Sequence, residues 1–260
     1  MCKKIIKKIL SHNQKLFFKK IISKILFLTP ALHSLNMLAL KYQTDKYGHD
    51  YLKYYEKYFS LIRKKKLNIL EIGVGGYDNP TSGGSSLRMW QEYFPNSMIY
   101  SIDIYDKKFH EDQRIKIYKG SQNDPDFLKK IASEIAKIDI IIDDGSHINE
   151  HVITSFRTLF PFLNDNGMYI IEDLQTAYVP EFGGNCFNLN NSVTSISMLK
   201  NLIDGIYYQY IPDRKNSSFD ENISSVHFYP KIAFIFKHKN TLILSEDEIQ
   251  SFNRSKSLIK

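Results

Sequence analysis

Two short runs carry the densest chemistry in the chain. One is Asp143-Asp144-Gly145-Ser146-His147, with Glu150 and His151 close behind; the other is Glu172-Asp173. Each follows an almost wholly apolar stretch, Ile138–Ile142 and Met168–Ile171, of the kind that forms a strand covered on both faces. If the two strands are neighbours, four carboxylates meet at one sheet edge. Left unpaired, they would repel one another and raise each other's pKa. A divalent cation relieves that repulsion, and oxygen ligands suit Mg²⁺ or Mn²⁺ better than zinc. His147 lies beside the acids, placed to take a proton. The same acids could instead serve only as helix caps.

A second constellation lies earlier. Leu67–Ile72 ends in Glu71-Ile72-Gly73-Val74-Gly75-Gly76, and the next apolar run, Met98–Ile104, carries Asp103 near its end. A dinucleotide fingerprint would need glycine at Asp78, and no Gly-Lys-Ser/Thr phosphate loop follows. An acid at the end of the second strand suits the two hydroxyls of a ribose. An acid just before the glycines disfavours a pyrophosphate and suits a cation. S-adenosylmethionine combines a ribose, an ammonium group and a sulfonium charge with no phosphate, so it fits this pattern better than NAD.

The elements that must position these residues alternate. Strand-like runs at Leu67–Ile72, Met98–Ile104, Ile115–Tyr118, Ile138–Ile142 and Met168–Ile171 are separated by helical patterns at Ser86–Tyr93, Pro125–Lys137 and Glu150–Phe162. Asn164-Asp165-Asn166-Gly167 predicts a turn before the fifth strand. This order predicts an α/β fold: a doubly wound, mostly parallel, Rossmann-like sheet with helices on both faces. Val226–Tyr229 and Ile232–Lys237 predict a closing antiparallel strand pair. The polar stretch 175–225, with one helical pattern near Ser192–Tyr208, reads as a lid or substrate-facing insertion.

Composition sets the outer limits. The chain has 260 residues, 43% of them hydrophobic, and two cysteines, Cys2 and Cys186. That excludes a disordered chain or a disulfide scaffold. The net charge of +7 is concentrated at the start: residues 1–44 hold nine lysines and no acid, leaving the remainder close to neutral. A nucleic-acid partner is therefore not expected, since basic residues are not spread over the body. Residues 1–41 predict a basic amphipathic helical arm, followed by a domain over 42–245 and a tail over 246–260. Within the arm, Ile5, Ile9, Leu16, Ile21, Ile25 and Leu28 recur at helical spacing between lysines. Such a helix either packs on the body or lies on an anionic membrane surface through residues 1–28. Its apolar runs are too short for a membrane span or a secretory signal, so a cytoplasmic location, peripheral on the inner membrane face, is expected.

Four ordered segments resemble a known family: Thr44-Asp45-Lys46-Tyr47-Gly48, LEIGVGGYDNPTSGGSSLRMW, DIIIDDGSHINEHVITSFRTLFPFL and YIIEDLQTAY, with HFYPKIAFIFK beyond them. Over roughly residues 42–240 the chain is similar to the class I, metal-dependent macrolide sugar O-methyltransferases of the mycinamicin and demethylmacrocin type. The resemblance implies S-adenosylmethionine as donor and Mg²⁺ (or Mn²⁺) as cofactor. It implies Asp144, Glu172 and Asp173 as metal ligands and His147 as general base. Glu71, Gly73, Gly75, Asp103, Ser121, Gln122 and Asp143 would line the donor site, with Thr44, Asp45 and Lys46 closing over it. The expected function is O-methylation of a sugar or glycan-precursor hydroxyl, with a bacterial surface polysaccharide as one destination and a homo-oligomer as one assembly. A cephalosporin-hydroxylase-like enzyme, or a non-catalytic binding protein of glycan assembly at the membrane, are the alternatives.

Overall fold

The computed structural model of the chain describes residues 34–190, 193–211, 214, 217–240, 245–248, 250 and 251. Residues 1–28, read as a helix that either packs on the body or lies on an anionic membrane surface, lie outside the described residues. No described helix is long and apolar enough to cross a membrane.

Seven strands form one sheet: β1 (Asn68–Ile72), β2 (Met98–Asp103), β3 (Ile115–Lys119), β4 (Ile138–Asp143), β5 (Leu163–Ile171), β6 (Ile223–Tyr229) and β7 (Ile232–Lys237). Their order is β3-β2-β1-β4-β5-β7-β6. The first five are parallel, and β7 runs antiparallel between β5 and β6. The expected doubly wound sheet and its closing antiparallel pair are both present. Strand order reverses at β1 and β4, so ligands are expected outside the carboxyl ends of these two strands.

The sheet separates two apolar layers, and side-chain alternation sorts its residues between them. Ile69, Ile99, Ile140, Ile142, Ile170 and Phe234 face α1 (Leu35–Tyr42), α2 (Leu52–Phe59) and α3 (Ser85–Tyr93). Leu70, Ile72, Ile102, Ile141, Ile171 and Ile235 face α4 (Pro125–Ile135), α5 (Asn149–Leu159) and α6 (Ser195–Ile206). Helix α4 begins where Asp124 caps the backbone N–H groups of Asp126 and Phe127, with Pro125 in its first turn.

Three boundaries differ from the sequence reading. Leu35, Leu38 and Ala39 are buried in the first core layer, so the packed body starts within the stretch read as arm. The Asn164–Gly167 turn is absorbed into β5 as an irregularity: Ile138 pairs with Leu163 and Ile140 with Met168, and Asn166 takes a left-handed conformation. The C-terminal strand β6 starts three residues early, at Ile223.

Trp90, the only tryptophan in the chain, locks α3 to α2 through ring contacts with Tyr55 and Phe59. It is fully buried. Trp90→Ala should lower stability by about 3–5 kcal/mol, the usual cost of an aromatic-to-alanine cavity. Urea denaturation followed by far-ultraviolet circular dichroism measures this without relying on the lost fluorophore.

Candidate active site

The two chemical constellations meet at the carboxyl edge of β1, β4 and β5. Register brings them together: Ile72 pairs with Asp143, and Asp143 with Ile171. Gly73 is what allows the glycine loop to lie against the acidic loop. Its φ is +99°, and a Cβ there would sit 2.2 Å from the carbonyl oxygen of Asp144. The loop after Gly76 is fixed by a buried lysine that sequence reasoning missed. Lys107 donates to the carbonyls of Asn79 and Ser82.

Lys46 is the centre of the acidic cluster. Its ammonium lies 2.5 Å from Asp144 Oδ2, 2.7 Å from Glu172 Oε1 and 3.3 Å from Glu71 Oε1, and it is fully buried. Burial alone would depress its pKa, but the three carboxylates hold it well above the usual lysine range. Thr44 precedes it as a buried residue, while Asp45 is exposed, its Oδ1 3.4 Å from the Thr44 hydroxyl. The resemblance implies that Thr44, Asp45 and Lys46 close over the donor, and in the structure Lys46 lies among the acids.

Burial pushes Glu71 up from the carboxylate range, and Lys46 only partly offsets it; Ser86 donates to its second oxygen. Glu172 is raised further by burial and by the nearby Asp144, against the pull of Lys46 and of the Tyr55 hydroxyl at 2.5 Å. Asp173 behaves differently. Burial would raise it, yet hydrogen bonds from Gln175 and Tyr51 and the nearby imidazoles of His147 and His49 together hold it below the usual range.

Asp144, His147 and Asp173 each offer one ligand atom within 4.8 Å of the others. His147 Nε2 faces Asp173 Oδ2 at 3.6 Å. Both residues adopt left-handed backbone conformations, with φ of +58° and +52°, which are uncommon for non-glycine residues. An oxygen-rich set with one imidazole suits a divalent cation. Glu172, which the resemblance implies as a third carboxylate ligand, is engaged by Lys46 and Tyr55.

Asp103 presents a half-buried carboxylate whose oxygens accept from the backbone N–H groups of Val74 and Tyr105, both at 2.9 Å. Each oxygen keeps a further lone pair for a ribose hydroxyl. Gly75 sits in the same loop with φ +78°. Asp143, which the resemblance implies at the donor site, has a buried carboxylate that accepts from Ser155, Gln122 and Tyr169. Burial pushes its pKa up to about 6. Gln122 acts as a brace, donating to Asp143 and accepting from the Ser146 N–H, while Ser121 accepts from the Asn123 N–H.

Sequence reasoning also missed Tyr51, Tyr55, His49 and Asn149. The two tyrosines lie four residues apart, one helical turn, just after Thr44-Asp45-Lys46, and that spacing was the available signal. Asn149 is buried at the start of α5; its amide donates to the carbonyls of Thr176 and Phe182 and its oxygen accepts from the Ser195 N–H. It ties both ends of the loop that leaves Asp173 and carries Phe182, whose ring lies 6.5 Å from that of His147.

Comparison with known proteins now bears on this site. No family model matches the chain. It is 46% identical over 211 residues to the mycinamicin VI 2''-O-methyltransferase of Micromonospora griseorubida, covering 79% of this chain and 53% of that one. It is 44% identical over 208 residues to the 8-demethyl-8-alpha-L-rhamnosyl tetracenomycin-C 2'-O-methyltransferase of Streptomyces olivaceus, covering 78% and 54%. The MycE methyltransferase in complex with Mg, SAH and mycinamycin VI superposes with a TM-score of 0.75 at 44% identity, covering 82% of this chain and 57% of that one. The matched region is a class I methyltransferase domain. It is homologous to these sugar O-methyltransferases, and the chain spans about half the length of the curated relatives it matches.

Lys46 generates a prediction for this domain. Lys46→Met leaves three carboxylates without their cation, and removing one member of a buried ion pair costs about 3–5 kcal/mol. The sign with pH follows from Glu71 and Glu172. Their folded pKa values lie above the unfolded ones, so their contribution is most favourable in acid and declines as pH rises through the folded values. Without Lys46 that decline steepens. Urea denaturation in EDTA should therefore show a large deficit for Lys46→Met at pH 8 and a smaller one at pH 5.

Proposed function

We propose that the protein is an S-adenosylmethionine- and Mg²⁺-dependent O-methyltransferase acting on a hydroxyl of a glycosidic sugar. The observation that carries this reading is the convergence of Asp144, His147 and Asp173 beside the Gly73–Gly76 loop and Asp103. The named activities of the relatives, all O-methylations and three of them on acceptors named with a rhamnosyl or olivosyl group, support it. In this reading Asp103 holds the donor ribose, and Asp144 and Asp173 hold the cation, with Lys46, itself paired to Glu172, fixing Asp144 from behind. Bound there, the cation would supply Lewis-acid polarisation of the acceptor hydroxyl.

The chain's own groups account for the remaining steps. His147 takes the hydroxyl proton as the acceptor oxygen attacks the methyl carbon. The carbon–sulfur bond breaks and its electron pair stays on sulfur, giving neutral S-adenosylhomocysteine. No covalent enzyme intermediate forms. The acceptor approaches past the loop tied down by Asn149, whose Phe187, Leu189 and Val193 are exposed. Those side chains suit an acceptor with an apolar portion beyond the sugar. The relatives' substrates favour a sugar already attached to a small aglycone over a surface polysaccharide precursor.

Two measurements test the proposal. Calorimetry should show S-adenosylmethionine binding to the full-length chain, weakened by Asp103→Ala by about 1–3 kcal/mol, the cost of stranding hydrogen-bond partners; unchanged affinity in a folded variant removes the ribose assignment. Methyl transfer to a rhamnosylated aglycone should vanish in EDTA and return with Mg²⁺. There, His147→Ala should lower kcat by roughly 10²–10⁴-fold while donor affinity persists. Full turnover in metal-free buffer would refute the cation's role.

A further inference from the structure

We infer that Tyr51 is a positioning residue for the cation site, fixing Asp173 in the conformation that leaves its Oδ2 open toward Asp144 and His147. This deepens the proposed function and rests on its placement of a cation at Asp144 and Asp173, beside His147. One hydroxyl has two roles here. Tyr51 donates to Asp173 Oδ1 at 2.8 Å, and the same oxygen accepts from the Asp173 backbone N–H at 3.3 Å. A single phenol therefore holds both the side chain and the backbone of one residue.

That residue needs holding. Asp173 has a φ of +52°, a left-handed conformation that aspartate tolerates better than most side chains but that still costs more than the ordinary helical or extended regions. Gln175 donates a second hydrogen bond to the same Oδ1, also at 2.8 Å. Oδ1 is thus engaged twice, while Oδ2 faces His147 Nε2 at 3.6 Å. A carboxylate with one oxygen anchored and the other directed at a metal-competent imidazole is the arrangement by which outer partners orient a metal ligand.

Tyr51 can act as an anchor because it is itself immobile. It is fully buried, stands immediately before α2, and packs edge-on against the His49 ring. One turn on, Tyr55 makes the matching bond to Glu172. Two tyrosines at helical spacing thus hold two consecutive acids at the end of β5. The hydroxyl is the only part of Tyr51 that the inference requires, so phenylalanine keeps the packing and removes the function.

The experiment measures Mn²⁺ binding by electron paramagnetic resonance on the full-length chain saturated with S-adenosylhomocysteine. Tyr51→Phe should bind Mn²⁺ about 10–100-fold more weakly, the range seen when outer partners of metal ligands are removed. Its S-adenosylhomocysteine affinity should stay within about twofold of wild type, which a general loss of structure would not permit. Gln175→Leu, on an exposed side chain, should shift Mn²⁺ affinity in the same direction by less. Asp173→Asn should abolish Mn²⁺ binding. Wild-type affinity in Tyr51→Phe alongside loss in Asp173→Asn overturns the inference and leaves the cation site standing. Normal Mn²⁺ binding by Asp173→Asn overturns the site itself. If Tyr51→Phe does not fold, unchanged affinity in Gln175→Leu is the overturning result.

Discussion

A buried ammonium among three carboxylates sets the terms for this molecule. Lys46 sits between Asp144, Glu172 and Glu71, which come from the ends of three different strands. None of these acids could be buried with its charge alone, because desolvation of an ion costs several kcal/mol even after relaxation. One cation therefore allows three strand ends to carry acids at a shared edge. It also ties the segment that follows α1 to the sheet, since Lys46 arrives from outside the sheet altogether. The rest of that segment follows the same logic, with Tyr51 and Tyr55 each giving a hydroxyl to an acid after β5.

The arrangement divides the acids by task. Glu71 and Glu172 face inward toward the ammonium and lose their contact with solvent. Asp144 and Asp173 stand further out, beside His147. Asp143 is neutralised differently, by hydroxyl and amide donors, and so supports the strand end without contributing to the cleft. A run of acids that looks uniform in sequence thus separates into a buried ion-paired layer, a hydrogen-bonded support and a more open pair, of which Asp144 also reaches Lys46. Burial is what separates them.

Much of this was legible before folding. Apolar runs ending in Glu71, Asp103, Asp143 and Glu172 fixed the strands and their common edge, because a parallel sheet brings the ends of its strands together. Alternation of Ile140, Ile141 and Ile142 between the two core layers follows from the strand's period of two. The sequence did not reveal which acids face which partner. That depends on how deeply each carboxylate lies, and depth is a property of packing between α2, α3 and the sheet. Lys46 read as a lid residue because its contacts span 98 and 126 positions to Asp144 and Glu172. Tyr51 and Asn149 were silent for the same reason: a tyrosine in a helical run and an asparagine before a helix are ordinary residues until their long-range partners are known.

The Asn149 clamp has a consequence for how such a domain diversifies. One side chain gathers the carbonyls of Thr176 and Phe182 and the amide of Ser195, so the chain between them leaves and returns at fixed points. What lies between can change in length at a closure cost that grows only as the logarithm of the added residues. The chemistry at Asp173 is insulated from such changes, since the knot stands between it and the excursion. A domain built this way can therefore exchange the tip of that excursion as a cassette while the clamp and the strand end beside it stay in place.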